Sequence, residues 1–183
     1  PKEYDDAFRW LETNSEPESI VGSLSFEVTV LLPVKSHNKT LVVRNSMLVS
    51  DVPHDECARR FAFLCKLLGI PPESMIPVLT RLMTKEVHEY VFEGNDRMIR
   101  ESREDYSGLH HFFIGTRDDL ISDIIRKEMT DPDVRPFAVD YLWIGPTERR
   151  RGSPADLPTA SPYRLEMVYQ NPSVTLYRVG GAK

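Results

Sequence analysis

In an open α/β sheet, ligands bind beyond the carboxyl ends of the strands, where helix N-termini present free N–H groups. The residues that the sequence pattern puts there are Ser23 and Ser25, Arg44 and Asn45, Thr116 and Arg117, and Thr147, Glu148 and Arg149. Arginines, a pair of small hydroxyls and helix N-termini suit an anionic or sugar ligand, because they offer charge-assisted and directional hydrogen bonds. The plainer reading of the same residues is that they are loop polar groups and helix caps.

Other chemistries lack their residues. Gly22-Ser23-Leu24-Ser25 is neither a G-x-G-x-x-G fingerprint nor a Walker loop, which disfavours a dinucleotide or nucleoside triphosphate. It also lacks the second glycine of the G-x-S-x-G elbow, so a serine hydrolase has no local signature. His110 and His111 are adjacent on an expected strand and point to opposite faces, so they do not share a metal. His37, His54 and His88 have no metal-ligand spacing. Cys57 and Cys65, eight apart in one helical segment, stand about 12 Å from each other, too far for a disulfide. They read as small core residues without an activating setting. Arg100, Glu101, Arg103, Glu104 and Asp105 read as a solvated face of mixed sign. Glu148-Arg149-Arg150-Arg151 would meet lipid headgroups only if the domain stood near a membrane. Asn38-Lys39-Thr40 matches the N-glycosylation triplet, whereas Asn171-Pro172-Ser173 is barred by its proline. No catalytic residue, metal or cofactor is assigned.

The elements that must position these residues come from a chain of 183 residues, 40% hydrophobic and 28% charged, with net charge −5. That length leaves room for one domain over 1–183, able to bury roughly 70% of its unfolded surface without a metal or disulfide staple. The acidic balance argues against a nucleic-acid partner and against electrostatic docking on an anionic membrane. The longest apolar run, Val28 to Val34, is interrupted by Thr29 and Pro33 and is too short to span a bilayer. The chain opens Pro1-Lys2-Glu3-Tyr4, with no initiator methionine and no signal-peptide pattern, so it is expected to be a piece of something longer.

Tyr4, Ala7, Phe8 and Leu11 share one face of a helix over 4–13. A short buried strand follows over 19–23. Segment 25–36 has β-branched residues that suit a strand, but Ser25-Phe26-Glu27 resembles a helix start. A helix ending near Pro33 is the favoured reading. A strand over 40–43 precedes the clearest helix, 53–68, with Pro53 in its first turn and Gly69 as its stop. A further helix follows Pro71-Pro72. Residues 85–108 are least legible and read as helix, insertion or lid. A strand over 109–114 leads into a helix opened by Thr116 and Asp119. A buried strand over 138–144 is followed by 147–162, proline-rich and expected as an exposed loop. Runs 163–169 and 174–179, separated by Gln170-Asn171-Pro172-Ser173, signal a β-hairpin with Val168, Leu176 and Val179 inward. This order predicts an α/β fold: a three-layer, mostly parallel, Rossmann-like sheet with helices on both faces and a C-terminal antiparallel hairpin.

Four phrases carry a resemblance. Tyr4-Asp5-Asp6-Ala7-Phe8-Arg9-Trp10-Leu11-Glu12-Thr13-Asn14 resembles the "A-x-x-W-L-x-x-N" opening of soluble domains that follow the last transmembrane helix of polytopic membrane proteins. These are the GT-C-type glycosyltransferases and related integral membrane proteins. Glu18 to Ser23 looks like their first strand. Val139 to Arg149 is similar to their "V-D-Y-V-x-V-G-P-x-E-R" strand and loop, and Leu165 to Val179 to their closing hairpin. The likeness touches both ends and the last third of the chain, not 70–108. It implies a non-catalytic soluble domain on the extracytoplasmic face of a membrane. Its partner would be the transmembrane part of the same parent, with a sugar or polymer as ligand. In those families the glycosyl-transfer residues lie in membrane-embedded loops, so none carries over here. The competing expectation is a free-standing α/β enzyme or small-ligand binder using the strand-end pocket.

Overall fold

The computed structural model describes residues 2–41, 54–71, 73, 123, 126–128, 137–150 and 152–182. Helix α1 (Lys2–Asn14) buries Tyr4, Ala7, Phe8 and Leu11, the face that the spacing predicts. Strand β1 (Ile20–Gly22) leads into α2 (Phe26–Lys35). Ser25 is the N-cap of α2: its backbone is extended and its hydroxyl oxygen accepts from the Val28 N–H at 3.4 Å. This resolves the 25–36 ambiguity in favour of a helix. The helix outruns Pro33 by two residues, because a proline near the end forfeits only its own N–H bond. The Ser36 N–H closes the last turn on the Leu32 carbonyl at 2.9 Å.

Strand β2 (Lys39–Thr40) is followed by α3 (His54–Leu67). Gly69, with φ +63°, ends that helix, and the Ile70 N–H returns to the Cys65 carbonyl at 3.0 Å. Strand β3 (Tyr141–Ile144) is buried along its whole length. The stretch 147–162, expected as an exposed loop, instead carries two short helices, α4 (Pro146–Arg150) and α5 (Leu157–Ala160). Pro146 suits the first helical position, and Leu157 turns inward to 1% exposure. The hairpin forms as expected, from β4 (Tyr163–Gln170) and β5 (Thr175–Ala182). The expected strand over 109–114 and the helices after Pro72 and Thr116 lie outside the described residues, apart from short helical pieces.

The described strands form one mixed sheet in the order β2-β1-β3-β5-β4. β1 runs parallel to β2 and to β3, and the hairpin is antiparallel, with β5 against β3 and β4 outermost. The sheet is thus partly parallel. Alternation along β3 divides the core in two. Tyr141 and Trp143 pack with α1, α2, Val21 and Leu176, whereas Leu142 and Ile144 pack with α3, Leu24, Leu41 and Leu157. Leu176 is fully buried and Val168 packs beside it, while Val179 packs on the opposite face.

Candidate functional site

Three sequence-predicted site residues meet at the carboxyl ends of β1 and β3. Gly145 caps α4, Pro146 opens it, and Glu148 occupies the third helical position. A glutamate there reaches back to the cap, as in a capping box. Glu148 Oε2 accepts the Gly145 N–H at 2.9 Å. Its other oxygen crosses to the end of β1. Oε1 accepts the Ser23 hydroxyl at 2.7 Å, the Leu24 N–H at 2.7 Å and the Ser25 N–H at 3.1 Å. Ser23 Oγ also accepts the Ser25 N–H at 3.0 Å. Glu148 has 0% exposure, with Ser23 at 2% and Ser25 at 4%.

A buried carboxylate is costly unless its lone pairs are met by donors. Four donors meet this one, and it lies against the N-terminus of α2, where exposed N–H groups favour negative charge. The strand-end rule and the helix terminus mark this spot for a ligand anion. The chain fills it with its own side chain. The Ser23 hydroxyl and the Glu148 carboxylate therefore spend their hydrogen-bonding capacity inside the knot, and the Ser25 hydroxyl caps α2.

Arg149 sits beside them but faces the hairpin. Its Nη1 donates to the Ser173 carbonyl at 2.8 Å and its Nη2 to Thr175 Oγ1 at 3.3 Å. Arg44, Asn45, Thr116 and Arg117 lie outside the described residues. The carboxylate knot was missed by sequence reasoning, which puts Glu148 in an exposed loop as a candidate ligand contact. The signal was Gly145-Pro146-Thr147-Glu148, a cap, a first-turn proline and an acid at the third position.

A second acid serves the other end of β1. Asp140 Oδ2 accepts the Ile20 N–H at 2.7 Å, while the Asp140 N–H returns to the Ile20 carbonyl at 2.9 Å. The turn of the hairpin is tied in as well. Asn171 Nδ2 donates to the Glu3 carbonyl at 2.8 Å, and its Oδ1 accepts the Ser173 and Val174 N–H groups at 3.0 and 2.8 Å. Behind the knot stands an aromatic cluster. Trp143, at 0% exposure, stacks on Phe8 at 5.0 Å between centroids and meets Tyr4 edge-on at 5.4 Å. Burial raises the pKa of the Tyr4 hydroxyl above its usual 10.0, and the negative charges of Glu148 and Glu27 add to the rise against Arg150 and Arg149. Burial likewise raises Tyr163 and Tyr177.

His37 is engaged between α1 and α2, its Nδ1 at 3.1 Å from Glu12 Oε2 and its Nε2 at 3.0 Å from the Ser15 carbonyl. Among the described residues no three His, Cys, Asp or Glu side chains converge as metal ligands, and no helix is long and apolar enough to cross a membrane. Comparison with protein-family models, with curated proteins and with solved structures finds no match to this chain.

Proposed function

We propose that this chain is a non-catalytic domain of a larger polytopic membrane protein of the GT-C glycosyltransferase-like type. It stands on the extracytoplasmic face and holds the membrane part, or a sugar or polymer ligand, in position. The same reading takes the mixed sheet as part of a Rossmann-like, three-layer body with helices on both faces.

The observation that carries the proposal is the double clamp on β1. The phrase Val139-Asp140-Tyr141-Leu142-Trp143-Ile144-Gly145-Pro146-Thr147-Glu148-Arg149 bears much of the resemblance. Its two acids, Asp140 and Glu148, hold the start and the end of β1. The residues of the phrase thus have a scaffold role that needs no reaction at this site. The free-standing ligand-binder reading loses Ser23, Ser25 and Glu148, which are already bonded to each other.

Reading the gene upstream of the codon for Pro1 tests the proposal. An open reading frame with several apolar spans of about 20 residues supports it. The full-length product should then sediment with membranes, and its domain should be cut by a protease added to the extracytoplasmic side. A product without such spans, recovered in the soluble fraction, sinks the proposal.

A further inference from the structure

Strand β4 is the outermost strand of the sheet, and no strand pairs with its outer edge among the described residues. An edge of eight residues with no partner strand among the described residues is a template for another strand. Its regular part is defined by two irregularities against β5. Tyr163 pairs with Ala182 and Leu165 with Val179, so the extra residue there lies on β5, at Gly180-Gly181. Met167 pairs with Tyr177 and Tyr169 with Leu176, so Val168 is the extra residue on β4. β4 therefore runs unbulged from Tyr163 to Met167, and the centre of that stretch is Leu165.

From this geometry we propose that the outer edge of β4 pairs antiparallel with β4 of a second copy, about a two-fold axis at Leu165. The pairing joins two five-stranded sheets into one. In this register Arg164 of each copy stands opposite Glu166 of the other, so the edge is complementary to itself. Arg164 and Glu166 are both exposed and lie two residues apart, on one face. Glu166 holds Arg178 of its own chain through Oε2 at 3.5 Å, which leaves Oε1 for the partner copy. Tyr163 stands opposite Met167, a residue that is 55% exposed in the single chain. An aromatic ring over a thioether is a favourable cover for it. The proposal is independent of the function proposed above.

Sedimentation equilibrium of the whole chain tests it, with denaturant midpoints confirming that each variant is folded. The wild type should dimerise in the micromolar range. Arg164→Glu and Glu166→Arg each set like charges across the axis twice, and each should weaken dimerisation at least tenfold. The double variant Arg164→Glu/Glu166→Arg restores complementarity and should return to within a few-fold of wild type. Mixing the two single variants should give a heterodimer, because each then opposes the other's charge. A wild type that stays monomeric to 100 µM overturns the proposal. So does a double variant as weak as the singles, or a mixture that fails to associate.

Discussion

The Ser23 hydroxyl and the Glu148 carboxylate meet at 2.7 Å across 125 positions of sequence, with both side chains out of contact with solvent. This bond ties the end of the first strand to the helix that follows the third. The two strands are already paired through Val21 with Tyr141 and Gly22 with Leu142. The carboxylate extends that pairing past the last ladder bond. It also satisfies the Leu24 and Ser25 N–H groups at the point where the chain turns into α2.

Replacing members of the knot should cost stability in a fixed order. Ser23→Ala removes one of four donors and leaves three, at about 1 kcal/mol. Glu148→Gln keeps one oxygen but sets an amide NH2 against a donor, and should cost more. Glu148→Leu leaves the N–H groups of Leu24 and Gly145 buried without an acceptor and Ser25 with the Ser23 hydroxyl alone, at about 3–5 kcal/mol. Urea midpoints order the three variants. A Glu148→Leu protein as stable as wild type would show that the knot is dispensable.

Parts of this architecture were legible and parts were not, for physical reasons. The inward face of α1 follows from residues three and four apart, which a helix brings together by its own period. The stop at Gly69 and the hairpin at Asn171-Pro172-Ser173 rest on local backbone preference. Both appear where local rules put them. The bond of Glu148 to Gly145 is local, but its partners Ser23, Leu24 and Ser25 are set by strand pairing over more than a hundred residues, which no local pattern encodes. The stretch 147–162 reads as an exposed loop, and Arg149 and Arg150 are exposed, Arg149 lying along the hairpin. Glu148 alone turns in, because α4 gives its residues different faces.

Gly145 should not accept a side chain. A Cβ there would lie 3.0 Å from Trp143 Nε1, 3.3 Å from Tyr4 Oη and 3.4 Å from Glu148 Oε2. Trp143 and Glu148 are fully buried and Tyr4 nearly so, leaving little slack for them to retreat. Gly145→Ala should destabilise by about 1–3 kcal/mol, the range for overpacking a tight interior. Gly181→Ala is the control, since nothing lies within 4 Å of its Cβ position. Equal denaturant midpoints for the two variants would contradict the crowding described.

Stability should fall in alkali. Tyr4, Tyr163 and Tyr177 hold their phenolic protons more tightly when folded than the usual 10.0, chiefly through burial. A raised pKa means that the folded state binds more protons than the unfolded state between the two values. Stability is then full below about pH 10 and declines as pH climbs through the folded-state values. Urea midpoints from pH 8 to pH 11 measure the decline. The triple Tyr→Phe variant removes these three groups and should give a flatter curve. A curve as steep as that of wild type would assign the alkaline loss to other groups.

The first helix should be held mainly by its contact with Trp143. Phe8 is 1% exposed and stacks on the indole at 5.0 Å, with ring planes 29° apart. Tyr4 covers the edge of the same indole, and Ala7 and Leu11 complete the buried face. Phe8→Ala opens a cavity against a ring that is enclosed by the sheet, at a cost of about 3–5 kcal/mol. Phe8→Leu keeps most of the volume and loses the stacking, so it should cost about half as much or less. Trp10 is part-exposed, so Trp143 is the more enclosed of the two tryptophans. A red shift of the tryptophan emission in Phe8→Ala, absent from Phe8→Leu, would report water reaching Trp143 through the gap. An emission maximum unchanged in both variants, together with wild-type urea midpoints, would remove α1 from its place over the indole.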